Sequence, residues 1–154
     1  MKRNINIRYG NIDDLSALVN FNLSMAKETE SKKLDKGLLT SGVSSLLKNP
    51  ELGFYVVAEC DEKVTGSLMI TNEWSDWRNA IFWWIQSVYV LPGYRRQGLY
   101  RKLYEFVKAE AESANNVCGF RLYVEKNNLD AQRAYESLGM TETYYKIYEE
   151  IKRK

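Results

Sequence analysis

The residues best suited to chemistry lie in one stretch, residues 88–103, where an apolar run meets a basic turn. A Pro-Gly pair ends the run, and a segment containing Gly98 then opens an amphipathic pattern, so we expect a strand, a turn and a helix. A helix start offers unpaired backbone N–H groups and partial positive charge, which suits a diphosphate. Gly98 would let the backbone approach that ligand closely. Four basic side chains can add charge-assisted hydrogen bonds to phosphate: Arg95, Arg96, Arg101 and Lys102. The alternative is an ordinary strand-to-helix connection with solvated arginines.

The segment before this turn is almost continuously apolar from Ala80 to Leu91, which is typical of a strand buried on both faces. Only Gln86 and Ser87 interrupt it. Two adjacent polar residues in a buried strand need partners. They indicate a bulge, an opening where a ligand pairs with the backbone, or a simple hydrogen-bonded pair facing a helix.

The composition limits the classes of function. The chain has 154 residues, is 45% hydrophobic and carries a net charge of +2, so we expect one soluble domain spanning residues 1–154. Acidic and basic residues alternate, which disfavours a nucleic-acid-binding face.

No run reaches the roughly 20 apolar residues of a membrane span and none at the start resembles a signal peptide, so we expect a cytoplasmic protein without a membrane partner. The absence of histidine excludes histidine-based catalysis and most zinc sites, and we expect no metal. Cys60 and Cys118 lack metal-type spacing and are expected to be buried thiols.

Hydrophobic periodicity predicts the remaining elements. We expect strands at 4–8, 54–60, 64–71, 80–91, 120–125 and 141–151, with a hairpin turn at 61–63 and a polar loop at 72–79. A polar segment, 27–36, should separate the first two helices. The helices should open after Asn11 or Asp13, near Leu38, near Gln97, and after Asn127 or Asn128. This order predicts an α/β (α+β) fold with a mixed sheet and helices on both faces.

Two motifs resemble those of the GNAT superfamily of acyl-CoA-dependent N-acyltransferases. The first family signature, Gln/Arg-x-x-Gly-x-Gly/Ala between a central strand and a helix, is matched by residues 95–100. The second, Asn-x-x-Ala-x-x-x-Tyr-x-x-x-Gly, is matched by Asn128, Ala131, Tyr135 and Gly139. The order of elements also agrees, and the resemblance spans most of the chain from Ile5 onward.

The resemblance implies a single GNAT-like domain whose sheet, of about six to seven strands, is splayed around acetyl-CoA. It implies that the backbone of Val88, Tyr89 and Val90 pairs with the pantetheine arm. Asn128 matches the residue that contacts this arm, and Ala131 belongs to the same motif. The implied diphosphate-binding set is Arg95, Arg96, Gln97, Gly98, Leu99, Tyr100 and Arg101.

The resemblance also implies a proton donor, because Tyr135 matches the tyrosine that commonly protonates the departing thiolate. Its alternative is a core tyrosine on an apolar helix face. Tyr100 departs from the family pattern, which has a small residue at this position. Its ring would narrow the turn unless it points along the helix with Tyr104.

The second departure concerns the base. Gln86 and Ser87 stand where many family members carry acidic residues. We therefore predict that Glu73 or Asp76, in the polar loop, serves as base or amine anchor, with a solvated loop acid as the alternative. Two tryptophans of this loop, Trp74 and Trp77, would form a substrate wall or a lid packed on the core.

The sequence thus predicts an acetyl-CoA-dependent N-acetyltransferase that moves an acetyl group to a primary amine of a small molecule or peptide, by direct attack in a ternary complex. One rival is a non-catalytic acyl-CoA-binding or sensing module of the same fold. A nucleic-acid-binding protein is disfavoured by charge. A homodimer is left open.

Overall fold

The computed structural model describes residues 3–153 and divides into two compact units, Met1–Tyr123 and Val124–Lys154. The expectation of one domain over residues 1–154 stays a prediction. The elements of the first unit are β1 (Ile5–Tyr9), α1 (Leu15–Glu30), α2 (Lys36–Lys48), β2 (Gly53–Cys60), β3 (Lys63–Ser75), β4 (Ala80–Val90), α3 (Leu99–Ala114) and β5 (Val117–Arg121). The second unit contains α4 (Leu129–Ser137).

One mixed sheet forms the centre of the first unit. Within the described residues it has five strands in the order β1-β2-β3-β4-β5, fewer than the six to seven expected. The first four strands pair antiparallel, and β5 joins β4 in parallel. Asp61 and Glu62 form the tight turn of the β2–β3 hairpin, with φ of 50° and 67°. The predicted mixed sheet and hairpin are confirmed.

Helices cover both faces of the sheet, as predicted. Tyr55 and Val57 of β2 pack with Leu18 and Val19 of α1 and with residues of α2. Neighbouring residues of a strand point to opposite faces, so Phe54 and Val56 of β2 face the other side of the sheet. On that side, Tyr9 contacts both Phe54 of β2 and Phe106 of α3, with ring centroids 5.2 and 5.4 Å apart. The helical pair and α3 therefore enclose the sheet from opposite sides.

Two polar segments of the first unit are more regular than predicted. The expected loop at 72–79 is wrong, because β3 continues to Ser75 and only residues 76–79 form the turn. Cross-strand pairs extend the ladder, including Glu73 with Phe82 and Trp74 with Ile81. The segment at 27–36 is also partly helical, since α1 continues to Glu30.

The predictions for the C-terminal strands are wrong. β5 covers Val117–Arg121 instead of 120–125, because its register is set by parallel pairing with β4. Residues 141–151 form no strand, although their polar and apolar residues alternate. Tyr144 and Tyr145 are both mostly exposed, so neither alternate set forms a buried face. Alternation of polar and apolar residues alone does not produce a strand, because a strand needs a neighbour for its backbone hydrogen bonds.

The two cysteines are free and differ in environment. Cys60 is buried, as expected, whereas Cys118 is exposed, so the prediction of two buried thiols is wrong for Cys118. The reason is its place on β5, which is an edge strand of the sheet.

An ion-pair network around Arg8 ties β1 to the start of α1. The Arg8 guanidinium donates to both carboxylate oxygens of Asp14, at 2.8 and 2.9 Å, and to Glu59 Oε1 at 2.8 Å. Asp14 also accepts from the backbone N–H of Asn11 at 2.8 Å, and it is only 5% exposed. Burial raises the pKa of the Asp14 carboxyl, but the hydrogen bonds from Arg8 and Asn11 outweigh it, so this pKa is lower than usual.

Replacing Asp14 with Asn should lower the free energy of unfolding by about 2 kcal/mol at pH 7, because Arg8 loses a buried bidentate partner. The folded-state pKa of Asp14 is lowered, so its stabilisation is complete above about pH 4 and is lost as the pH falls through the folded value. Urea unfolding should therefore show a smaller difference between parent and variant at pH 3 than at pH 7.

The matched control is Asp13→Asn, which removes an exposed carboxylate from the same turn. It should stay within about 0.5 kcal/mol of the parent. An equal effect of Asp14→Asn at both pH values would contradict the role given to the ion pair.

Candidate functional site

β4 is paired on both sides along only its first part. β3 follows it from Ala80 to Val90 with one irregularity, whereas β5 pairs with it over Ile81–Trp84. Among the described residues, Val88 to Val90 therefore have no strand neighbour on the β5 side. Backbone groups on such an edge need partners, and an extended ligand can supply them as an additional strand.

A β-bulge at Ser87 lies where this second pairing has ended. Ser87 has a φ of 51°, and the β3–β4 register shifts between the Met69–Gln86 and Ser67–Tyr89 pairs. Gln86 and Tyr89 therefore both face the α1 side, although three positions separate them. Of the alternatives left open for Gln86 and Ser87, the structure shows the bulge. The Gln86 side chain also donates to Thr71 Oγ1 at 2.6 Å, so its amide has a partner on β3.

A cleft of about 500 Å³ adjoins the open part of β4. One wall comes from the last turns of α1, and the other comes from the end of β4 and the turn that follows. The cleft therefore brings together three predicted cofactor-binding residues of β4 and one of the turn. The lining residues are Met25, Glu28, Thr29, Val88, Tyr89, Val90 and Arg95.

The turn after β4 has the backbone features of an anion site. Arg96 and Gly98 both adopt positive φ, at 62° and 79°. A Cβ placed on Gly98 would meet no atom within 4 Å, so the space above the glycine is open. No side chain caps α3, whose first N–H groups lack acceptors within the helix. Buried Leu99 and Leu103 hold this helix against the core.

The side chains around the turn leave this space accessible. Arg96, Gln97 and Arg101 are exposed. The Tyr100 ring stacks on Tyr104, with centroids 6.2 Å apart and planes 11° apart. It therefore points along α3, which is the orientation in which it does not narrow the turn.

The structure places Glu73 and Asp76 in different environments. Glu73 accepts from the Trp84 indole N–H at 2.6 Å and from Arg121 at 2.9 and 3.1 Å. It lies opposite Phe82, six residues before Val88, which corresponds to about 20 Å of extended strand. Asp76 is an exposed turn residue. Neither carboxylate lines the cleft.

The four tryptophans also differ. Trp77 is 87% exposed and Trp74 60% exposed, which contradicts a lid packed on the core. Trp83 is buried, in a T-shaped contact with Phe54. Trp84 is partly exposed.

The second unit carries the second motif on α4. Asn128 caps this helix, because its Oδ1 accepts from the backbone N–H of Ala131 at 3.2 Å. Ala131 and Tyr135 are four residues apart and thus share one helix face. Burial raises the pKa of Tyr135 above its ordinary value. Gly139, with a φ of 95°, follows the end of the helix as predicted.

Glu28 is a cleft residue that the sequence analysis missed. It lies in the last turn of α1, in a segment that was interpreted as a polar connection. The Tyr89 hydroxyl donates to Glu28 Oε1 at 3.1 Å, and Arg95 Nη2 donates to Glu28 Oε2 at 3.0 Å. The sequence contained one signal for this contact. An acid near a helix C-terminus interacts unfavourably with the helix dipole and therefore needs a compensating cationic partner.

Residues 3–153 show neither a membrane-spanning helix nor a cluster of side chains suited to a metal ion. No helix there has the length and apolar character needed to cross a membrane. No group of three or more Cys, Asp or Glu side chains in this range could hold a metal ion.

Comparisons with known proteins identify similar chains. The model of the acetyltransferase (GNAT) family matches residues 17–140. The structure of a possible acetyltransferase from Clostridium difficile 630 has 46% identity and a TM-score of 0.91, with 97% of this chain and 99% of that chain covered. A predicted acetyltransferase with acetyl-CoA from Clostridium acetobutylicum has 19% identity and a TM-score of 0.78, with 96% of each chain covered. An aminoglycoside N-acetyltransferase in complex with CoA has 16% identity and a TM-score of 0.76, with 99% and 98% covered. No match was found among curated proteins.

The chain belongs to the acetyltransferase (GNAT) family. The family match covers most of its length, and the Clostridium difficile protein is similar over nearly the whole of both chains. The resemblance predicted from the two motifs is therefore confirmed. The two less similar structures support the fold.

Replacing Gly98 with Trp should abolish coenzyme A binding, because the new side chain would occupy the open space above the turn. The substitution strains the backbone, because Gly98 has a φ of 79°, but the fold should survive, since nothing lies within 4 Å of the added Cβ. Titration calorimetry with coenzyme A measures the affinity, and thermal unfolding checks the fold.

The matched control is Gly98→Ala, which imposes the same positive-φ strain with only a methyl group. It should still bind coenzyme A. Unchanged affinity in Gly98→Trp would show that the cofactor binds elsewhere.

Proposed function

We propose that the protein transfers the acetyl group of acetyl-CoA to a primary amine of a small molecule or peptide, by direct attack in a ternary complex. The observation that carries this proposal is the open edge of β4, which leads directly into an uncapped helix N-terminus surrounded by basic side chains. Both parts lie in the first unit. Membership of an acetyltransferase family supports the acetyl donor.

The residues present fit acetyl-CoA. Val88 to Val90 offer backbone groups on an edge without a strand neighbour among the described residues, which suits the amides of a pantetheine arm. The open space at Gly98 and the N–H groups at the start of α3 suit a diphosphate. When bound, acetyl-CoA would supply the activated acyl group, and the protein would orient it and exclude water.

The proposal also specifies that the acetyl acceptor is an amine. Its support comes from the family and from a structural neighbour, AAC(6')-Iy, whose structure holds the bisubstrate analogue CoA-S-monomethyl-acetylneamine. Positioning of two bound substrates supplies much of the rate enhancement in such a reaction.

A non-catalytic acyl-CoA-binding module is the second candidate. The observation that favours it is the absence of a carboxylate at Gln86 and Ser87, together with the engagement of Glu73 by Trp84 and Arg121. Such a module would bind acetyl-CoA and transfer nothing.

One experiment distinguishes the two candidates. Purified protein is mixed with acetyl-CoA and a panel of polyamines, amino acids, aminoglycosides and peptides with free N-termini, and released thiol is measured. Acceptor-dependent thiol release with formation of an acetamide supports the transferase. Coenzyme A binding without turnover across the panel supports the binding module.

We propose Tyr135 as the group that protonates the departing thiolate. The motif and the position of Tyr135 on the same face of α4 as Ala131 support this role. Its raised pKa keeps the phenol protonated at neutral pH, where it can donate. Tyr135→Phe should lower kcat by about 10²-fold or more while cofactor affinity stays nearly unchanged.

Tyr148→Phe is the matched control for this variant, because Tyr148 is 92% exposed and has no proposed role. Its kcat should equal that of the parent. If Tyr135→Phe, shown to be folded and cofactor-bound, turns over at the parent rate with chemistry rate-limiting, Tyr135 is a packing residue.

We also propose that Glu73 or Asp76 acts as base or amine anchor in place of the missing strand carboxylate. Glu73 lies about 20 Å from Val88 along the strand, which is farther than one water can bridge. A base at Glu73 would therefore act through a chain of waters, and an anchor there would hold the end of the acceptor far from the reacting nitrogen. Glu73→Gln or Asp76→Asn should then lower turnover, measured as acetyl transfer at saturating acetyl-CoA. Glu62→Gln, in the exposed β2–β3 turn, is the control, and parent-like turnover in both test variants would remove the proposal.

A further inference from the structure

The ion pair between Glu28 and Arg95 crosses the proposed cofactor cleft. Glu28 belongs to α1, and Arg95 belongs to the turn after β4. Besides its contact with Glu28, Arg95 donates from Nε to the carbonyl oxygen of Val90 at 2.8 Å. Arg95 therefore occupies a backbone acceptor of the segment proposed to pair with the pantetheine arm.

These two residues also determine the charge of the cleft. The other five lining residues are uncharged: Met25, Thr29, Val88, Tyr89 and Val90. With the ion pair formed, the cleft is close to neutral. Without Arg95, the Glu28 carboxylate would keep the Tyr89 hydroxyl as a hydrogen-bond donor but would lose its counterion.

The ion pair is well placed to exchange partners. Its side chains are 44% and 41% exposed, and a pair so exposed contributes little to stability because solvent screens it. A diphosphate offers Arg95 stronger, charge-assisted hydrogen bonds. Glu28 has the greater need of a partner, because it lies at the negative end of the α1 dipole.

Resting on the proposed function, we propose that Arg95 leaves Glu28 for the cofactor diphosphate and that Glu28 then binds a cationic group of the acceptor. The free protein holds the two charges together, and each substrate takes one of them. Acceptors with a second ammonium group, such as diamines, fit this arrangement, because one ammonium nitrogen can bind Glu28 while the other nitrogen, as the free amine, attacks the thioester carbon. The C–N bond forms as the C–S bond breaks, the departing thiolate takes a proton from the proposed donor Tyr135, and the proton lost from the attacking nitrogen passes to solvent. Glu28 is thus an acceptor-binding residue and not the base.

The first arm of the test is a double-mutant cycle on coenzyme A affinity, measured by calorimetry. Glu28→Gln keeps an oxygen that can accept from Tyr89 but removes the charge that competes for Arg95. It should raise the affinity about two- to fivefold, the range expected for loss of an exposed ion pair. In an Arg95→Gln background the same substitution should have no effect.

Glu30→Gln is the matched control, since it removes an exposed charge from the same end of α1 and Glu30 does not line the cleft. It should leave coenzyme A affinity unchanged. Two results would overturn the proposed partner exchange of Arg95: an equal increase in affinity from Glu28→Gln in both backgrounds, or an increase of the same size from Glu30→Gln. Either result would mean that removing any negative charge from this end of α1 raises the affinity.

The second arm compares two acceptors of similar size with acetyl-CoA, namely 1,3-diaminopropane and butylamine. The parent should prefer the diamine in kcat/KM by about tenfold, and Glu28→Gln should remove the preference mainly through KM. Equal use of the two amines by the parent, or no use of either, overturns the role of Glu28. If coenzyme A does not bind and no amine in the panel is acetylated, the proposed function itself fails.

Discussion

The incomplete pairing of β4 is the constraint on which the site depends. β4 has two strand neighbours up to Trp84 and one beyond it among the described residues. A strand buried on both faces carries polar backbone groups along its edges, and these groups require partners. The end of β4 can remain unpaired with β5 only where a side chain, water or a ligand completes the hydrogen bonds, as Arg95 does at the Val90 carbonyl. The proposed cofactor site thus follows from a general requirement of the backbone.

The bulge at Ser87 determines which side chains accompany this edge. Without it, Gln86 and Tyr89 would point to opposite faces of the sheet. With it, Tyr89 turns towards α1, where it contacts Phe21 and donates to Glu28. Burial and the neighbouring Glu28 carboxylate raise the pKa of Tyr89, so the phenol stays a hydrogen-bond donor at neutral pH. Along β4 the cleft is therefore lined by Val88, Tyr89 and Val90, and the Tyr89 phenol is the one side-chain donor among these three.

The sequence was most informative where a local pattern determines the outcome. The apolar run ending near Leu91 and the turn containing Gly98 were both visible, because each depends on residues close together in the chain. β3 beyond Thr71 was not visible because its residues are mostly polar, although its partners on β4 are close in the chain, as Ser75 with Ala80. The ion pair of Glu28 was not visible because Arg95 lies 67 residues away. The absent strand at 141–151 gives the converse case, since its alternation was clear but the described residues supply no pairing neighbour.

The charge of the cleft also depends on both local and distant residues, since Arg95 belongs to the turn and Glu28 belongs to α1. The net charge of +2 disfavours a broadly basic surface, yet it conceals three arginines within residues 95–101. Arg95 is the member of this group that a carboxylate from another element holds. The proposed anion-binding turn beside the open strand edge would otherwise keep an uncompensated positive charge next to the Val90 carbonyl. Glu28 neutralises that charge from α1, and this is why a helix that is distant in sequence forms part of the proposed site.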